Sequence, residues 1–189
     1  DLREQITIAS WVCPSGKQIA REPGIFGKHF SSFLLTYYDD SDMYWYIDQT
    51  KISNGVGATL VSGRWSYVTV TFDKEKLRIY VNGLLAAENV SKSSSIGPGG
   101  DFYIGAVAAD PNSPDPATRS AGTFKGFIDE VKVHRRALNA AEVQAQFKPG
   151  DIERRNEMFA SAWQPVTRGA AIRSGGISVL AGKNGEVQV

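Results

Sequence analysis

Residues 37–46 concentrate the side chains that are best suited to binding a ligand. The stretch reads YYDDSDMYWY and combines five aromatic residues with three aspartates. Aromatic rings stack on the apolar face of a sugar ring, and carboxylates beside them bind its hydroxyl groups. Alternatively, the aromatic residues belong to a core and the aspartates only form a turn. The binding interpretation assigns a ligand site to Tyr38, Asp39, Asp40, Asp42, Tyr44 and Trp45.

Residues suited to catalysis lack the spacing that catalysis requires. Asp129 and Glu130 are adjacent, and adjacent residues of a strand point to opposite faces of a sheet. Cleavage of a polysaccharide by paired carboxylates needs two acids that face the same site. His29 and His134 are isolated from each other, and no serine lies in a Gly-x-Ser-x-Gly sequence. We therefore expect a protein that is not an enzyme.

The composition excludes several classes of partner. With 21 basic and 20 acidic residues the net charge is +1, so no strong field attracts nucleic acid or an anionic membrane. No apolar run approaches the ~20 residues that span a bilayer. Cys13 is the single cysteine, so an internal disulfide is excluded and a buried, inert thiol is expected. We predict neither nucleic-acid binding nor membrane insertion.

The clearest structural pattern lies in residues 64–83. Aliphatic residues alternate there with polar or aromatic ones on both sides of the turn Asp73-Lys74-Glu75-Lys76, which predicts a hairpin with one dry face. The residues on its other face are Tyr67, Thr69, Thr71, Arg78 and Tyr80. The pattern leaves open whether this second face binds a ligand or is covered by other elements.

The remaining elements predict an all-β protein. Short β-branched and aromatic runs recur from residue 6 to residue 133 between turn-forming residues. Helical signals come late, since Asn139 with Glu142 three residues on is a capping box and a second helix covers roughly residues 151–160. The sequence predicts a two-sheet antiparallel β-sandwich with one or two short C-terminal helices.

Several segments, taken in order, resemble a known family. They read ITIASWVCP, IFGKH, GRWSYVTVTFD, LRIYVNGLL, YIGA and GFIDEVKVHRRALNAAEV. Over about residues 5–147 the chain resembles the laminin-G-like jelly-roll domain of the concanavalin A-like lectin/glucanase superfamily. The resemblance implies a secreted or cell-surface jelly roll that recognises a glycan or an extracellular protein. Enzymes of this superfamily typically have Glu-x-Asp-x-x-Glu on one strand, and this chain lacks that pattern.

The first strand of such domains has no counterpart before residue 5, but residues 176–189 (GISVLAGKNGEVQV) resemble it. We therefore expect a sandwich in residues 1–148, a linker with a short helix in residues 149–175 and tail strands in residues 176–189. The tail either completes its own sandwich, as in a circular permutant, or completes that of a neighbouring copy and gives a homo-oligomer. A third alternative is that the tail begins a truncated repeat.

The resemblance also implies a calcium site. Relatives of this domain hold calcium with oxygen ligands, here Asp129 and Asn184 in the turn of residues 182–185. Lys183 and Asn184 stand where the family usually has an acid. The alternative role of Asp129 is to fix the strand geometry by bonding backbone amides.

These observations predict a non-catalytic, lectin-like recognition module whose partner is a glycan or an extracellular protein, with calcium as its one expected cofactor. The first alternative is an assembly module that exchanges its tail strand between copies. The second alternative is a polysaccharide-cleaving enzyme.

Overall fold

A computed structural model covers the chain. It describes residues 4–18, 20, 23–29, 31–38, 42–48, 50–53, 59–98, 100–107, 122–162, 180–181 and 187–188. The chain forms two compact units, Asp1–Lys148 and Pro149–Val189. The first unit is a sandwich of two sheets, which confirms the predicted fold class.

The first sheet of the sandwich has five antiparallel strands. In spatial order they are β12 (Gly126–His134), β1 (Ile6–Pro14), β6 (Ser66–Phe72), β7 (Lys76–Val81) and β8 (Leu84–Val90). The strands β6 and β7 are the predicted hairpin, whose turn is closed by Asp73: its Oδ1 accepts hydrogen bonds from the backbone of Glu75 at 3.1 Å and of Lys76 at 2.7 Å. Asn82 and Gly83, at φ 53° and 79°, form the tight turn into β8.

The second sheet has seven strands. Along its main path they are β10 (Ala106–Val107), β11 (Gly122–Thr123), β2 (Gly24–His29), β3 (Phe33–Tyr37), β4 (Met43–Ile47) and β5 (Thr50–Ser53), and β9 (Tyr103–Ile104) also pairs with β2. The contact of β11 with β2 is parallel and the others are antiparallel. A mainly antiparallel sheet is what the predicted hairpins require.

The core lies between the two sheets, and most strands contribute alternate residues to it, whereas β2 contributes the adjacent Ile25 and Phe26 at a register shift. The first sheet contributes Ile6, Ile8, Val12, Val68, Val70, Phe72, Leu77 and Ile79. The second sheet contributes Ile25, Phe26, Phe33, Leu35, Tyr37, Met43, Trp45, Ile47 and Ile52. Burial of these side chains is the main source of stability of the sandwich.

A short helix, α1 (Ala140–Gln146), packs on the outer face of the first sheet. It starts at the predicted capping box, because the Asn139 side chain accepts a hydrogen bond from the backbone of Glu142 and the Glu142 side chain accepts one from the backbone of Asn139. Leu138 and Val143 are buried in a cluster with Tyr80. The segment around α1 therefore acts as a cover for this face.

The second unit contains a helix and a small hairpin. The helix α2 (Pro149–Ala162) has proline at its first position, where the missing N–H costs no hydrogen bond. The strands β13 (Leu180–Ala181) and β14 (Val187–Gln188) pair antiparallel with each other. Completion of the sandwich by residues 176–189 stays a prediction, and most of that tail lies outside the described residues. In the described part of the chain no helix is long and apolar enough to cross a membrane.

Candidate ligand-binding surface

The strand β4 separates its aromatic residues onto two faces. Met43, Trp45 and Ile47 are fully buried in the core, whereas Tyr44 and Tyr46 lie half-buried on the opposite face of the second sheet. The placement of Trp45 in the ligand site is therefore wrong, because its ring has no exposed face with which to stack on a ligand.

Trp45 instead joins the two sheets. Its Nε1–H donates a hydrogen bond to the backbone oxygen of Thr71 across the sandwich, at 3.2 Å. Its ring also packs against Phe33, with a centroid distance of 6.3 Å. A buried indole needs a partner for its N–H group, and here the partner is a strand of the opposite sheet.

Three tyrosines form a continuous row on the outer face of the second sheet. The rings of Tyr38 and Tyr44 meet edge to face with centroids 5.1 Å apart, and those of Tyr44 and Tyr46 are 6.5 Å apart at an interplanar angle of 37°. Tyr38, Tyr44 and Tyr46 are hereafter the tyrosine row. Tyr46 was missed by the sequence analysis, although its spacing of two from Tyr44 was a signal that the two rings share a face.

The turn between β3 and β4 brings Tyr38 to Tyr44. The backbone N–H of Tyr38 donates to the backbone oxygen of Asp42 at 2.9 Å, and Asp42 is half-buried beside the row. Of the predicted ligand residues, the structure therefore places Tyr38, Asp42 and Tyr44 together at one end of the second sheet. Asp39 and Asp40 lie outside the described residues.

The residues of β3 that pair with the tyrosine row include a buried hydroxyl group. Thr36 pairs with Tyr44 and Leu34 pairs with Tyr46 in the register of β3 and β4. Thr36 and Leu34 are both fully buried, and the Oγ1 of Thr36 has no hydrogen-bond partner among the described residues. On this part of the face the tyrosine rings are therefore the partly exposed groups, and the Thr36 and Leu34 side chains beside them are inaccessible.

Asp129, the predicted calcium ligand, lies at a β-bulge. The register of β1 and β12 shifts between Ala9 and Trp11, and Glu130 has φ 51° at this point. The Oδ1 of Asp129 accepts a hydrogen bond from the backbone of Glu130 at 2.8 Å, which stabilises the uncommon conformation. Asp129 thus has the backbone-fixing contact that was the alternative to metal binding.

The second calcium ligand, Asn184, lies outside the described residues. Among the residues that the structure describes, no three His, Cys, Asp or Glu side chains are grouped as a metal site would need. A site that combined Asp129 with Asn184 would draw on oxygen atoms, which are the donors that calcium prefers.

The outer face of the first sheet is covered at its centre. The Tyr67 ring stacks on Phe147 with centroids 6.3 Å apart, and its hydroxyl donates to Oε1 of Gln146 at 3.2 Å. Thr69 and Thr71 are buried on the same face. Burial, with a further contribution from Glu130, raises the pKa of Tyr67. The question left open by the hairpin pattern is thereby answered, because this face is covered by the segment around α1.

Cys13 is also buried, and burial raises the pKa of its thiol to about 11. A thiol in that state holds its proton at neutral pH and is a poor nucleophile. The structure agrees with the interpretation of Cys13 as an inert core residue.

Comparison with known sequences identifies the type of sandwich. The model of a laminin G family of the concanavalin A-like lectin/glucanases superfamily matches residues 1–144. A search of curated protein sequences finds no match.

Solved structures of several unlike proteins contain a similar domain. Domain 4 of AbnA, a GH43 extracellular arabinanase from Geobacillus stearothermophilus, was solved in complex with arabinotriose; it is 16% identical with a TM-score of 0.56, over 77% of this chain and 68% of that chain. The SAP-like pentraxin of Limulus polyphemus is 16% identical with a TM-score of 0.56, over 75% and 69%. A Trypanosoma rangeli sialidase mutant is 16% identical with a TM-score of 0.54, over 79% of this chain and 23% of that chain. At such identities these likenesses show the fold alone.

Proposed function

Because the chain belongs to the concanavalin A-like lectin/glucanases superfamily, we propose that it is a non-catalytic module that binds saccharides on the outer face of its second sheet. The observation behind the proposal is the tyrosine row. Its rings are held at fixed spacings of 5.1 and 6.5 Å, and such an extended aromatic surface suits the repeated apolar faces of a sugar chain.

The groups around the row are suited to the hydroxyl groups of a sugar. Asp42, whose backbone oxygen accepts from the Tyr38 N–H, is the acid of this turn that the structure describes, and the tyrosines have phenolic hydroxyls that both donate and accept. Rigid aromatic side chains with two rotatable bonds lose little conformational entropy when they bind a ligand. A surface of this kind binds without a deep pocket.

The absence of catalysis is proposed from the arrangement of the acids. Asp129 is hydrogen-bonded to the backbone of the bulge, and Glu130 follows it directly in the chain. A glycoside hydrolase needs two carboxyl groups on either side of one bond. Of the described acidic residues, Asp42 lies beside the tyrosine row. The aromatic rings of the row can stack on a sugar, but stacking alone breaks no bond.

The site of action is proposed to be outside the cytoplasm. The AbnA domain with the similar fold belongs to an extracellular enzyme and was solved with a bound sugar. Calcium held by Asp129 and Asn184 is retained as a proposal. Binding with and without calcium therefore has to be compared.

A glycan array tests the proposal with the full chain, in calcium and in chelator. We expect a defined set of saccharides to bind the wild type, and Tyr44→Ala and Tyr46→Ala to weaken that binding by roughly tenfold each, because each loses a stacking ring. Tyr103→Ala is the matched control, since Tyr103 is a 38% exposed tyrosine of the same sheet outside the row.

Two results would contradict the proposal. One is a wild type that binds no saccharide in either condition. The other is saccharide binding that Tyr103→Ala weakens as much as the two row variants do, because the contact would then lie elsewhere on the sheet.

A further inference from the structure

Three loops meet at one end of the sandwich and form a second surface. They are residues 14–18 after β1, residues 61–65 before β6 and residues 124–127 at the start of β12. The register places them together, because Val12 pairs with Ser66 and Pro14 pairs with Gly126. These three loops are hereafter the end platform.

Hydrogen bonds lock the first two loops together. The backbone N–H of Gly63 donates to the backbone oxygen of Pro14 at 2.7 Å. The backbone N–H of Gly16 donates to Oγ of Ser62, also at 2.7 Å. One bond joins two main-chain groups and the other joins a main-chain N–H to a serine hydroxyl, and together they hold the two loops against each other.

The third loop is held by a buried glutamine. Gln18 is only 4% exposed, its Nε2 donates to the backbone oxygen of Lys125 at 2.9 Å, and its Oε1 accepts from the backbone N–H of Lys125 at 2.7 Å. The backbone N–H of Ser15 donates to the same Lys125 oxygen at 3.0 Å. The Lys125 side chain takes no part in these hydrogen bonds and is exposed.

The platform is basic and aromatic. Its three loops contain Lys17, Arg64 and Lys125 and no acidic residue, and all three cations are exposed. Within the described part of the chain, neither Arg64 nor Lys125 forms an ion pair. Beside them the half-buried rings of Trp65 and Phe127 pack with centroids 6.3 Å apart.

The end platform and the tyrosine row open at the same end of the sandwich. β3 finishes at Tyr37, whose ring meets Phe124 of the third loop edge-on with centroids 6.0 Å apart. The hydroxyl of Tyr37 donates to the backbone oxygen of Leu60, just before the second loop. Tyr38, the first residue of the row, follows directly in the chain, so this end of the row lies at the same end of the sandwich as the platform.

We propose that the end platform binds the acid group of a saccharide, so that the ligands of this domain are acidic sugars. The inference rests on the proposed saccharide binding. The planar guanidinium of Arg64 can bind a carboxylate or a sulfate through two hydrogen bonds, and Lys125 adds a point charge. Trp65, half-buried directly after Arg64 in the chain, adds aromatic surface next to these charges. Loops fixed before binding lose little entropy when the ligand arrives.

Binding of matched acidic and neutral polymers by the full chain tests the inference. The probes are polygalacturonate, its neutral methyl ester and heparin, so that the carboxylate and sulfate sources are separated. We expect at least one acidic probe to bind more tightly than the neutral ester and to weaken as salt rises. Arg64→Gln and Lys125→Gln should each weaken acidic binding by roughly fivefold and leave the neutral ester unaffected.

Lys92→Gln is the matched charge control. Lys92 is exposed and follows β8, whose last residue Val90 pairs with Lys76 at the start of β7. That position lies at the opposite end of the sandwich from the platform. Lys125→Gln retains the backbone bonds to Gln18, so the loops stay locked in the variant.

Three results would overturn the inference. Equal binding of acidic and neutral probes, unaffected by Arg64→Gln and Lys125→Gln, would refute it while the proposed saccharide binding stands. If Lys92→Gln weakened acidic binding as much as the platform variants do, the effect would come from the net charge of the protein and not from the platform. No binding of any probe, together with an empty glycan array, would remove both the inference and the proposed function.

Discussion

The outer faces of the two sheets have similar sequence patterns but different surroundings. On the first sheet, Tyr67 alternates with core residues and is 1% exposed under Phe147 and Gln146. On the second sheet, Tyr44 and Tyr46 alternate with core residues in the same way and stay half-buried beside each other. The strand pattern sets the face of each tyrosine, and the elements packed over it decide whether a ligand reaches it.

The cover of the first sheet comes from a distant part of the sequence. Leu138 and Val143 pack on Tyr80, and Thr7 anchors the segment because its Oγ1 accepts from the backbone of Leu138 at 2.9 Å and donates to the backbone oxygen of Arg136 at 2.9 Å. More than 120 residues separate Thr7 from these partners. Such a contact is specified by tertiary packing and leaves no local signal.

The largest effect is expected within one strand of the second sheet. Trp45→Ala should lower the free energy of unfolding by about 3–5 kcal/mol, because it empties a fully buried site between the sheets. Tyr44→Ala, one residue away on the outer face, should lower it by less than about 1 kcal/mol. Urea denaturation of both variants measures the two values. Equal losses of unfolding free energy in the two variants would contradict the placement of Trp45 and Tyr44 on opposite faces of the strand.

A smaller effect is expected under the cover of the first sheet. Tyr67→Ala should lower the free energy of unfolding by about 2–4 kcal/mol, since its ring packs on Trp11 at 5.1 Å and on Phe147. Tyr67→Phe, which keeps the ring and loses only the bond to Gln146, should cost about 1 kcal/mol. Thermal unfolding separates the variants. A Tyr67→Ala protein as stable as the Tyr46→Ala variant would show that this face is open.

The smallest effect concerns the start of α1. Hydrogen bonds from Arg136 and from the backbone of Asn139 lower the pKa of Glu142 from 4.5 to about 2. A lowered folded-state pKa means that the contribution is fully present above pH 4.5 and is lost as the pH falls through 2.

Unfolding of Glu142→Gln as a function of pH tests this contact. The variant should be slightly less stable than the wild type at neutral pH, and the difference should vanish toward pH 2. Gln144→Ala, which changes an exposed residue of α1 that carries no titratable group, is the control and should show no such trend. A difference between wild type and Glu142→Gln that is constant across this range would remove the capping role.

The sandwich itself could be predicted because its signals are local. Alternation in residues 64–83 and the Asn139 and Glu142 capping box each correspond to an element of the structure. The placement of Trp45 could not be predicted from composition. Both faces of β4 are apolar or aromatic, so the alternation gives two faces without saying which one lies inside.

Two other features depend on contacts that the sequence does not spell out. The bulge at Glu130 arises from the pairing of β12 with β1, and the adjacent acids gave no sign of it. The end platform joins loops that are distant in the sequence, through contacts such as the bonds of Gln18 to Lys125, 107 residues apart. Gln18 had no role in the sequence analysis, because a single polar residue in a loop is ordinarily exposed.

The most direct test of the account is a titration of one saccharide against matched tyrosine variants. A hit from the array is titrated calorimetrically into the wild type, Tyr44→Ala, Tyr67→Phe and Tyr103→Ala, each shown to be folded by circular dichroism. The account predicts that Tyr44→Ala weakens binding by roughly tenfold and that the other two bind like the wild type. Unchanged binding by Tyr44→Ala, or a loss in Tyr67→Phe instead, would contradict it by moving the ligand away from the second sheet.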